Sequence, residues 1–77
     1  MIETKIKYIM IDSISQLKQL VVYANGLSSP AFASRGSVTV DCSSLLGLLS
    51  IDTSQRFTIE YPKSEKEFEN FISQFEC

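Results

Sequence analysis

No histidine occurs anywhere in the 77-residue chain. Without an imidazole, the commonest transition-metal ligand and the commonest general base are both missing. There are two cysteines, Cys42 and Cys77, and no Cys-x-x-Cys pair. They make a poor disulfide framework and no zinc set, and they suit a reducing compartment as free thiols. A helix N-terminus near Cys42 is the one feature that lowers a thiol pKa, and a small buried or terminal thiol is the simpler reading of both cysteines. Long hydrophobic runs are absent: Leu20 to Val22 is far too short to span a bilayer. The start, Met1-Ile2-Glu3-Thr4-Lys5, lacks the basic and apolar blocks of a signal peptide. These absences predict a cytoplasmic protein without membrane contact. The net charge of −2 and the thin spread of the seven cations (Lys5, Lys7, Lys18, Arg35, Arg56, Lys63, Lys66) give no footprint for nucleic acid. A Gly-rich phosphate loop and paired carboxylates on one helical face are missing too. Neither a cofactor nor an enzymatic activity is therefore expected.

The remaining composition, 44% hydrophobic and 21% charged, is that of a soluble globular domain, and the length allows one domain over residues 1–77. Lys5 to Ile11 reads as a strand, with Ile6, Tyr8 and Met10 on one face and Ile9 and Ile11 on the other. Ser13-Ile14-Ser15-Gln16 has the form of a capping box. Ile14, Leu17, Leu20, Val21 and Ala24 then form an apolar stripe, which predicts a helix over 14–24 closed by a left-handed Gly26. After Pro30, Ala31–Ser34 and Ser37–Asp41 read as short strands joined by a turn at Arg35-Gly36. The run Leu45, Leu46, Leu48, Leu49, Ile51 cannot be typed by period alone. The Ser cap before it and the helix propensity of Leu predict one to two helical turns near 44–50. Gly47 costs about 1 kcal/mol there relative to Ala, so a close approach is expected at that residue. Arg56 to Tyr61 alternates, with Phe57, Ile59 and Tyr61 facing inward. Ser64 and Glu67 form a second capping box before a helix whose stripe is Phe68, Phe71, Ile72 and Phe75. The order β-α-β-β-α-β-α with one apolar face per helix predicts an α+β fold: three helices on one face of a four-stranded antiparallel sheet.

That element order resembles the HPr phosphocarrier family, and the resemblance is most specific at Ser43-Ser44-Leu45-Leu46-Gly47-Leu48-Leu49-Ser50-Ile51. HPr proteins of low-GC Gram-positive bacteria carry a similar stretch: Lys-Ser, two apolar residues, Gly, two apolar residues, Ser, Leu. The likeness implies an open-faced two-layer sandwich. It implies that Ser44 is a regulatory phosphorylation site, and that Leu45, Leu46, Gly47 and Leu49 form a patch for protein partners. The partners it implies are HPr kinase, the first enzyme of the sugar phosphotransferase system and a catabolite regulator. A phosphate at a helix N-terminus meets free N–H groups, so the site is chemically reasonable.

The departures are equally specific. The family's catalytic His stands just before the first helix, and here that stretch reads Asp12-Ser13-Ile14-Ser15-Gln16-Leu17-Lys18. Ser15 lies near the register of the missing His, and the accompanying Arg and Pro are absent as well. Phosphohistidine transfer is thus excluded by chemistry, since there is no imidazole to act as nucleophile. Ser43 replaces the Lys before the regulatory Ser. The expected protein is a non-catalytic regulatory module resembling the histidine-free catabolite-repression paralogues, with a diverged interaction domain outside the phosphotransferase system as the alternative. Ser44 also suits a plain N-cap, and the two roles can coexist. Leu48 and Ile51 are the expected core members of the leucine run.

Overall fold

The structure, a computed structural model, describes residues 3–77. Met1-Ile2, the first residues of the stretch read above for a signal peptide, lie outside the described residues. The elements are β1 (Thr4–Ile9), α1 (Ile14–Asn25), β2 (Phe32–Arg35), β3 (Val38–Asp41), α2 (Leu45–Leu49), β4 (Phe57–Pro62) and α3 (Lys66–Ser73). The order is the one the sequence predicts. The sheet is antiparallel throughout and runs β1-β4-β2-β3.

Strand alternation divides this sheet into two unlike faces. Ile9, Ala33, Phe57, Ile59 and Tyr61 are buried under the helices, against Leu17, Leu20 and Ala24 of α1, Leu48 of α2, and Phe68, Phe71 and Ile72 of α3. Registers Ile6↔Glu60↔Phe32↔Asp41 and Tyr8↔Thr58↔Ser34↔Thr39 run across the other face, which is open to solvent. Of the two apolar sets in the first strand, Ile9 and Ile11 are therefore the core set, and Ile6, Tyr8 and Met10 are exposed. The helices pack on the side of Ile9 and Ile11, and the chain end closes the strand's outer edge. The Met10 N–H donates to Phe75 O, the Cys77 N–H donates to Tyr8 O, and Ile9 bridges to Glu76. The C-terminal segment thus covers the edge of β1 that β4 leaves free, which removes an unpaired strand edge.

Lys5 and Lys7 stand on the covered face near its margin and reach α3 and the chain end. Lys5 Nζ lies 3.2 Å from Glu69 and Lys7 Nζ 3.4 Å from Glu76. The Tyr61 hydroxyl donates to the same Glu69 carboxylate at 2.6 Å, so one carboxylate ties β1, β4 and α3 together. That bond holds the Glu69 carboxyl below its ordinary pKa, with Lys5 adding to the effect. Burial, and then the neighbouring carboxylate, raise the Tyr61 phenol.

Four local expectations change. Ser64 does not cap α3: the N-cap position is Glu65, which makes no side-chain cap bond. Its carboxylate instead accepts from the Ser28 N–H and hydroxyl, 3.1 and 2.8 Å away. Gly26 follows α1 at φ −87°, so the helix ends without a left-handed residue. The hairpin turn is Gly36-Ser37, one residue later than expected; Gly36 adopts φ 62° while no described non-glycine residue has positive φ, the pattern of a type II′ turn. Finally, Ile14 is 59% exposed and does not belong to the buried stripe of α1.

Candidate protein-interaction site

The second helix is one and a half turns long and begins at Ser44, which is exposed. Ser44 has extended backbone angles, and its Oγ accepts the Gly47 N–H at 3.0 Å. It is an N-cap in full geometry, as its place before a leucine run predicts. The residue before it is anchored by a different group. The Ser43 N–H and hydroxyl both donate to Asp41 Oδ1, at 2.8 and 2.7 Å, closing an Asx-type turn between β3 and α2.

Gly47 makes the close approach that its position inside a helix suggests. A Cβ on it would lie 3.1 Å from the Val40 Cβ and 3.3 Å from the Ser44 Oγ. The absent side chain lets α2 lie against β3 without losing its cap. Ser50 closes the helix, its hydroxyl donating to Gly47 O.

The four leucines of α2 then divide by angle. Residues 100° apart along a helix put Leu46 about 160° from Leu48. Leu48 is fully buried, whereas Leu46 is 82% exposed. Leu45 is partly buried against the core, and Leu49 is 49% exposed. Ile51 is buried, as expected. Of the residues the family resemblance assigns to a partner patch, Leu46 and Leu49 are thus exposed and Leu45 and Gly47 half-buried.

The fold adds a residue that the pattern of α1 hides. Ile14, at the first turn of α1, lines a shallow cleft of about 150 Å³ with Leu49, Ser13, Asp12 and Ser54. Ser13 caps α1 by accepting the Gln16 N–H at 3.3 Å, and this holds Ile14 at the helix mouth facing α2. Its exposure was the missed signal: an apolar residue at the first helical position precedes the turn that packs. Ser15 is exposed beside it, and the chain has no histidine to act as its base.

The other expected groups are chemically quiet. Burial, with the Asp41 charge beside it, pushes the Cys42 thiol up to about 12, so the nearby helix start does not activate it. Cys77 is exposed, and neither cysteine is in a disulfide. Among the described residues, no group of three His, Cys, Asp or Glu side chains could hold a metal ion. No helix among them is long and apolar enough to cross a membrane.

Comparison with known proteins fits this geometry. No protein-family model and no curated protein matches the sequence. Among solved structures, the crystal structure of a phosphocarrier protein HPr from Bacillus anthracis superposes with a TM-score of 0.71 at 20% identity. The likeness covers 95% of this chain and 98% of that one. At this identity it is a likeness of fold: the chain is an HPr-like open-faced sandwich, with the element order that the sequence resemblance implies.

Proposed function

We propose that this chain is a non-catalytic, cytoplasmic regulatory module that works by protein binding within the sugar phosphotransferase network. The carrying observation is the apolar surface at the mouths of α1 and α2. Leu46 is 82% exposed and Leu49 49% exposed on the helix that Ser44 caps, and Ile14, 59% exposed, shares a cleft with Leu49. Large apolar side chains left in water together favour a partner surface, since scattered single residues are the ordinary state. The HPr-like fold supports a phosphotransferase-type partner, and the absence of histidine leaves binding without phosphohistidine transfer.

Ser44 is the proposed switch. Its hydroxyl is exposed, and a phosphate on it would add about −1.5 to −2 charges next to Leu46. The apolar patch would then favour a partner that brings cations. Incubation with HPr kinase and ATP, followed by peptide mass spectrometry, tests the switch. Phosphate on Ser44 is expected; an unlabelled Ser44 under conditions that label an HPr control removes it.

One observation favours a second reading, an interaction domain outside this network. Ser43 stands where the family has Lys, and it is turned onto the Asp41 carboxylate. The residue before the α2 cap thus binds an acid where the family has a cation. A kinase that reads the Lys would pass this site by. Restoring the cation with Ser43→Lys separates the readings: labelling gained only in the variant supports the second.

A further inference from the structure

The end of the sheet beside the β2–β3 turn carries a second feature, unrelated to the α2 surface. The chain has two arginines, Arg35 and Arg56, and both line one open hollow of about 450 Å³ with Tyr8, Ser34, Gly36 and Thr58. We propose that this hollow is an anion site for a phosphate group, as the free ion or as a monoester.

The charge pattern carries the argument. Four of the five lysines lie within ion-pair distance of a carboxylate: Lys5 and Lys66 with Glu69, Lys7 with Glu76, and Lys63 with Glu3. Among the described residues neither arginine is so paired. Arg35 influences Asp52 through space, without an ion pair between them. In an acidic chain with nine carboxylates, two arginines that make no ion pair among the described residues line one hollow from distant parts of the sequence. Guanidinium groups present planar forks of donors that match phosphate oxygens two at a time.

The geometry is pre-set on both sides. The Arg56 guanidinium carbon lies 4.3 Å from the centre of the Tyr8 ring, a cation–π contact that holds the group over the sheet. Arg35 ends β2 immediately before the Gly36 turn, where φ of 62° reverses the chain tightly. Ser34 and Thr58 add hydroxyls to the lining. Ser34 Oγ lies 3.0 Å from Thr39 Oγ1, and the Thr58 hydroxyl donates to Ser34 O. A hydroxyl pair can turn one proton outward to a phosphate oxygen at little cost, since the hydrogen rotates freely. A dianion with tetrahedral oxygens matches two forks and a hydroxyl row better than a single carboxylate does.

Amide NMR titration of the intact chain with inorganic phosphate and, separately, methyl phosphate tests this. Saturable shifts confined to Tyr8, Ser34 to Gly36 and Arg56 to Thr58 are expected. Either Arg35→Gln or Arg56→Gln should weaken binding by about tenfold or more, as expected for a lost charge-assisted contact. Tighter binding of methyl phosphate than of phosphate identifies an organic ester as the ligand, and the reverse identifies the free ion; both support the site. Shifts spread equally over the lysines, or shifts that survive both substitutions, overturn it, as does a flat titration. Both residues are exposed, so the variants should stay folded. Unchanged spectra away from the hollow check this.

Discussion

Helices α2 and α3 are both rich in large apolar residues, and they use them in opposite ways. The eight-residue α3 has a one-sided pattern: Phe68, Phe71 and Ile72 are buried, Glu67 faces water, and Glu69 sits at the margin against Tyr61 and Lys5. Tyr61 tilts against Phe68 at 5.8 Å, and Phe71 stacks on Tyr23 at 4.4 Å. The five-residue α2 has leucines around most of its circumference and buries only Leu48 fully. A helix of that length cannot turn four leucines toward one core. The lesson is that α3 is built for stability, while Leu46 and Leu49 add exposed apolar surface that folding alone does not require.

Substitutions can break this contrast, and the core positions should cost most. Phe68→Ala should lose about 3–5 kcal/mol and Leu48→Ala about 2–5 kcal/mol, from lost transfer energy plus a cavity. Urea denaturation measures both. A small loss at Leu48 would put α2 outside the core and erase the buried half of the comparison.

Next comes the alkaline limb of stability, which reads the core beneath α2. The Cys42 pKa is raised by burial from 9.0 to about 12, so the folded state holds its proton more tightly than the unfolded one. Its contribution is complete below pH 9 and is lost as pH rises toward 12. The slope from one such group approaches about 1.4 kcal/mol per pH unit. Tyr61, also raised, adds to the fall above pH 10. Cys42→Ala should flatten the slope between pH 9 and 10 relative to its own neutral-pH stability; an unchanged slope would mean the thiol is accessible to water.

Smaller effects sharpen the account of the α2 entrance. Ser44→Ala should cost about 1 kcal/mol by removing the cap. Gly47→Ala sets two terms against each other. Helix propensity favours Ala by about 1 kcal/mol. The added Cβ meets the Val40 Cβ at 3.1 Å, close to the backbone where little can yield. Overpacking of about 1–3 kcal/mol should win, leaving a net loss in thermal unfolding. A gain would show that α2 can move off β3. The smallest effect on stability is expected from Leu46→Ser, within about 0.5 kcal/mol, because the side chain is already in water.

Most of the fold was legible because its signals are local. Ser13 and Ser44 cap where a Ser before an apolar run should, Phe57, Ile59 and Tyr61 alternate inward, and Phe68, Phe71 and Ile72 repeat at helical spacing. The failures share a cause, a partner distant in sequence. Glu65 belongs to Ser28 and not to its own helix cap, and the covered side of β1 was settled by the helices that pack on it. The candidate site was half legible. The run from Ser44 to Leu49 showed itself through its resemblance to a known stretch, but Ile14 joined it only once α1 and α2 were side by side, and the two arginines met only in the folded sheet.

The central claim is that the leucines left in water on α2 are there for a partner. Isothermal titration with the purified first enzyme of the phosphotransferase system, using the wild type and a Leu46→Ser/Leu49→Ser double variant of matched thermal stability, measures it directly. The account predicts saturable binding by the wild type and a loss of at least about tenfold in the variant, the scale of a buried apolar anchor. Equal affinity of the two proteins, or no heat from either, would contradict it.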